Sequence, residues 1–111
     1  MKITMKDMIS INKEYDAGII INEGSLSFAL ESIKKSQDWL EQISYIVRAL
    51  LLDHVFQDGN KRTAAKIIMA ALEREGFKFD EEEIIKLTIR LSKSGLNDVK
   101  EIKKEIALAI Y

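Results

Sequence analysis

Asn60-Lys61-Arg62-Thr63-Ala64-Ala65-Lys66-Ile67-Ile68-Met69-Ala70-Ala71-Leu72-Glu73-Arg74-Glu75-Gly76 decides the architecture. The stretch reads as a helix from Asn60 to Glu75, with Gly76 placed to stop it in a left-handed cap. Ala64, Ala65, Ile67, Ile68, Met69, Ala71 and Leu72 cover most of its circumference. A helix apolar nearly all round must be surrounded, so it is expected to be central and buried. The rest of the chain offers it helices. There is no proline, and no segment alternates polar and apolar residues clearly enough to be a strand. The reading is an all-α, compact single domain over residues 1–111, a bundle of about six helices without repeats or a linker.

Working towards the N-terminus, Leu40, Ile43, Val47, Leu50 and Leu51 recur at helical spacing. Continued from Val47 and Leu50, that spacing carries His54 onto the same inward face. Ser25 reads as the cap of a short helix to about Lys35. Ile19-Ile20-Ile21 before it is β-branched and is broken by Asn22-Glu23-Gly24. A first helix starts after Thr4, with Asp7 as its acidic partner, and fades near Gly18. Towards the C-terminus, Asp80 with Glu83 has the spacing of a capping box, ahead of Ile84, Leu87, Thr88 and Leu91. The acids there need no metal to explain them, because the helix dipole favours negative charge in a first turn. A last helix from Asn97 carries Val99, Ile102, Ile106 and Ile110.

Composition narrows the classes. Apolar residues at 47% and charged residues at 32% describe a globular protein. A net charge of -1 argues against broad nucleic-acid binding, which needs a basic face. No apolar run approaches the ~20 residues of a membrane span. The start, MKITMKDMIS, has no signal-peptide core, so the expected location is the cytoplasm. Without cysteine there are no disulfides and no thiolate metal sites.

Function concentrates in His54-Val55-Phe56-Gln57-Asp58-Gly59-Asn60-Lys61-Arg62. His54 is the only histidine, and so the obvious general base near neutral pH. The turn before Asn60 leaves backbone N–H groups unpaired at a helix N-terminus, a ready anion site. Gly59 lets a ligand approach the backbone closely. Lys61 and Arg62 oppose the helix dipole, an anomaly that a bound phosphate relieves. Asp58 beside such a site fits magnesium, which is commonly held by carboxylate and phosphate oxygens. Taken singly, each residue has a plain structural role: a core histidine, an N-cap, a buried phenylalanine, a solvated pair of cations. Nine consecutive residues combining all of them are much harder to attribute to structure alone.

This segment resembles the H-x-F-x-D-G/A-N-K/G-R signature of the Fic/Doc (Fido) family, matching it at seven positions. Asn22-Glu23-Gly24-Ser25-Leu26 with Phe28-Ala29-Leu30 is similar to an upstream region of Doc-type members, and Thr63-Ala64-Ala65 also fits. The resemblance implies a helical domain that transfers AMP, or in the Doc branch phosphate, from a nucleotide to a hydroxyl side chain of a target protein. It makes His54 the general base and Phe56 the core anchor of the loop. Asp58 becomes the magnesium ligand, Gly59 and Asn60 the anion hole, and Lys61 and Arg62 the phosphate contacts. ATP and Mg2+ are then the expected cofactors, and a protein with a Ser, Thr or Tyr hydroxyl the expected substrate.

Lys61 and Ala65 separate this chain from the AMP-transferring members, which usually carry glycine and a second arginine there. Lysine is also the Doc-type residue, so phosphate transfer is favoured and AMP transfer is the alternative. Only about Ser36-Gln37-Asp38 separates the second and third helices, too little for the target-docking β-flap of many members, with Ile19–Ile21 as its only substitute. Ser27 and Glu31 fit most of a self-inhibitory serine-glutamate pattern, but Ser32 breaks it. A separate inhibitory partner, as in toxin–antitoxin pairs, is the expected control. A silent nucleotide- or partner-binding module is the reading from another class.

Overall fold

Side chains that accept a backbone N–H open five of the six helices among the described residues, 3–110, of the computed structural model. The helices are α1 (Met5–Asn12), α2 (Glu23–Lys34), α3 (Trp39–Leu52), α4 (Asn60–Arg74), α5 (Glu81–Ser94) and α6 (Val99–Leu108). Thr4 and Asp7 close a reciprocal capping box on α1, as their spacing predicts. The cap of α2 is Asn22, not Ser25: the Asn22 side chain accepts the Ser25 N–H at 3.2 Å, so the helix takes in Glu23 and Gly24. Asp80 accepts from Glu82 N–H on α5, without the Glu83 half of a box, and Asp98 rather than Asn97 caps α6. α1 stops at Asn12, well short of Gly18, because Asn12 turns its amide to bonds outside the helix.

The fold is all-α, with no strand among the described residues. α4 packs against α1, α3 and α5, while α3 also meets α2 and α6, so these two helices form the centre. Ala64, Ile68 and Leu72 of α4 and Ile43, Ile46, Val47 and Leu50 of α3 have no exposed surface. Truncating a side chain such as Ile68 to alanine costs about 2–5 kcal/mol in a packed core of this kind. The α2–α3 connection, residues 35–38, is held shut by Gln42, whose Nε2 donates to Ser36 O at 2.7 Å and Ile33 O at 3.2 Å. Asp38, the cap of α3, also pairs with Lys103 and so ties α6 to the same corner. No helix is long and apolar enough to cross a membrane among the described residues.

One isolated antiparallel bridge, Ile20 to Phe56, joins the segment before α2 to the segment after α3. Ile21 N–H donates to Val55 O at 2.8 Å, and Gln57 N–H to Ile19 O at 2.9 Å. The β-branched run is therefore extended, and it braces the chain between α3 and α4.

Candidate functional site

α3 ends at Leu52, and His54 takes a left-handed backbone with φ of 50°. The expected inward face for His54 is thus wrong. The helical register lapses at Asp53, and the left-handed residue turns the histidine out to solvent, where it is exposed. Histidine tolerates this region better than most side chains, though an L-residue there still costs about 1–2 kcal/mol. Asp53 is held in place from α2: its carboxylate accepts from Ser25 Oγ, and its carbonyl accepts from Asn22 Nδ2 at 2.9 Å.

Beyond His54 the chain dives into the core. Val55 and Phe56 are fully buried. Asn60 locks the Phe56 backbone from both sides, accepting its N–H at 3.0 Å and donating to its carbonyl at 2.9 Å. This pair of bonds turns the Asn60 amide onto the Phe56 backbone, and its backbone N–H and second Nδ2 hydrogen are the donors left over. Gly59 follows at φ of 74°, and its N–H donates to Asp58 Oδ1 at 2.8 Å. The second Asp58 oxygen has no partner among the described residues.

α4 alone among the six helices has no side-chain cap. Its first intrahelical bond runs from Thr63 N–H to Gly59 O at 2.9 Å. The N–H groups of Asn60, Lys61 and Arg62 precede that bond and have no partner within the helix. Lys61 and Arg62 are exposed and make no ion pair among the described residues. A 15-residue helix thus presents its positive end, with two added cations, uncapped.

The turn from Gln57 to Arg62 and His54 wall a cavity of about 450 Å³. Leu50 and Leu51 of α3 back it, and Tyr15 and Ser92 complete its lining. The volume lies within the range of small-ligand sites, about 300–1,000 Å³. The polar residues of the segment from His54 to Arg62 meet here, with Phe56 beneath them as the anchor. Ser27 and Glu31 do not: they line a separate cavity between α1 and α2.

Tyr15, Asn12 and Ser92 contribute without belonging to any motif. Asn12 is fully buried at the end of α1, where Nδ2 donates to Asp58 O at 2.9 Å and Thr63 Oγ1 at 3.1 Å. Its only sequence signal is a polar residue four positions after buried Met8, on the apolar face of α1. Ser92, near the end of α5, has no sequence signal of any kind.

Asp58 suits a magnesium ion, with an exposed carboxylate whose second oxygen takes no hydrogen bond among the described residues. No group of three or more His, Cys, Asp or Glu side chains gathers among the described residues. A metal at Asp58 would therefore take most of its ligands from phosphate and water, as magnesium does. Compared with models of protein families and with curated proteins, the chain matches none.

Proposed function

We propose that this protein is a Fic/Doc-type transferase that moves the γ-phosphate of ATP to a Ser, Thr or Tyr hydroxyl of a target protein. The observation that carries the reading is the uncapped α4 N-terminus with Lys61 and Arg62, opening into the same cavity as the only histidine. Backbone N–H groups and two cations suit a polyphosphate. An exposed imidazole beside them suits proton removal from an incoming hydroxyl, worth about 10²–10⁴ in rate. Magnesium held by Asp58 would neutralise charge on the phosphates.

In the reaction the target oxygen forms a bond to the γ-phosphorus as His54 takes its proton. The bond from that phosphorus to the bridging oxygen breaks, and ADP leaves. The target docks without a flap. Ile19–Ile21 spends one edge on residues 55–57, while the N–H and C=O of Ile20 take no backbone partner among the described residues, leaving an edge for an extended segment. A toxin role under an antitoxin partner fits such an enzyme.

The test is label transfer into cell extract from ATP labelled at the γ- or the α-phosphate, with His54→Ala alongside. Label from γ alone, absent in the variant, is expected. Label from α makes the protein an AMP transferase, and no transfer from either position leaves a silent binding module.

A further inference from the structure

Tyr15 and Ser92 are the hydroxyl-bearing residues that line the His54 cavity, and Ser92 alone comes from α5. On the same helix Thr88 Oγ1 donates to Ile85 O at 2.7 Å and Ser94 Oγ to Leu91 O at 2.9 Å. Both hydroxyls are spent on their own helix. Ser92 Oγ has no hydrogen-bond partner among the described residues, and it is half-buried.

Its position also carries an electrostatic sign. Ser92 lies two residues before the end of α5 at Ser94, where the unpaired carbonyls make the helix terminus negative. Lys93 in the same turn offsets part of that charge, but a helix C-terminus offers no unpaired backbone N–H to hold a phosphate. The positive end of the cavity is the N-terminus of α4, so a nucleotide is sorted by charge: phosphates at α4, the uncharged half towards α5.

We infer that Ser92 hydrogen-bonds the nucleoside half, a ribose hydroxyl or base edge, of a nucleotide whose phosphates sit on the turn at Gly59–Arg62. The inference rests on the nucleotide-binding reading above and adds a residue that tells a nucleotide from a bare polyphosphate.

The experiment is titration calorimetry of the full chain with magnesium-ATP and with magnesium-tripolyphosphate, on the wild type, Ser92→Ala and Ser92→Thr. The expected result is that both ligands bind the wild type. Ser92→Ala then weakens ATP roughly 3- to 10-fold, the scale of one neutral hydrogen bond, and leaves tripolyphosphate unchanged. Ser92→Thr, which keeps the hydroxyl, restores ATP. If the alanine variant weakens both ligands equally, or neither, the assignment of Ser92 is overturned while the anion site stands. If neither ligand binds the wild type, the nucleotide-binding reading itself fails.

Discussion

Asn12 Nδ2 stands 2.9 Å from the carbonyl oxygen of Asp58, forty-six residues further along the chain. The same amide reaches Thr63 Oγ1 at 3.1 Å and accepts the Gly18 N–H at 2.9 Å. One buried side chain thus fixes the turn before α4, the first turn of α4 and the loop after α1.

Replacing Asn12 strands these groups. Asn12→Ala leaves the Asp58 carbonyl and the Gly18 N–H without their partner, at about 1–3 kcal/mol for each group that stays buried. A loss on the order of 2–4 kcal/mol is expected in urea unfolding, together with weaker ATP binding as the turn loosens. Asn12→Asp keeps an acceptor for Gly18 but sets a carboxylate against the Asp58 carbonyl. It is expected to fare no better, and wild-type stability in that variant would show the Asp58 contact to be unimportant.

His54 joins chemistry to a strained backbone. At φ of 50° glycine carries no Cβ penalty, whereas alanine does. His54→Gly and His54→Ala should therefore both lose transfer activity, with the glycine variant the more stable by about 1 kcal/mol. Thermal denaturation of the pair checks this. Equal stability, or a more stable alanine variant, would mean that position 54 is not held in the left-handed region in solution.

The helical architecture was legible because periodicity and capping residues are local. Leu40 to Leu51 and Ala64 to Leu72 announce their buried faces without reference to anything distant. Cap positions slipped where two polar residues stood close together, as with Asn22 and Ser25, since either can accept from a first turn. His54 was misplaced because the 3.6-residue register was carried past a helix end that no proline or glycine marks. Asn12 and Ser92 stayed hidden for a different reason. The hydrogen bonds of Asn12 reach residues tens of positions away, Ser92 meets the cavity only through the packing of α5, and neither belongs to a pattern.

Stability should depend on pH through Asp38 and Lys103. The hydrogen bond from Lys103 holds the Asp38 carboxyl below its ordinary 3.8, and Asp38 in turn raises the Lys103 ammonium above 10.5. A depressed carboxyl contributes stability that is complete above its unfolded value and is lost as pH falls through the lower folded one. The raised ammonium contributes stability below 10.5, lost as pH rises through its folded value. The pair therefore supports the α3–α6 corner across the neutral range and fails at both extremes. With both side chains more than a third exposed, the effect is small and screened by salt. Melting temperatures followed from neutral to acid pH should fall less in Lys103→Ala than in the wild type, and parallel curves would show that the pair contributes nothing.

Lys61 places function against stability most directly. It stands exposed in the first turn of an uncapped helix, where its charge opposes the dipole and makes no ion pair among the described residues. Lys61→Glu reverses that charge and supplies the acid that the first turn of α4 lacks. Charges near a helix end are worth about 0.3–1 kcal/mol each at low ionic strength, so the variant should melt at a higher temperature in low salt and lose the gain as salt is added. The same change puts a carboxylate where a phosphate is proposed to bind, and ATP affinity should collapse. A variant both more stable and unable to bind ATP is the expected pair of results. If Lys61→Glu binds ATP as the wild type does, the α4 N-terminus is not the phosphate site, whatever the melting curve shows.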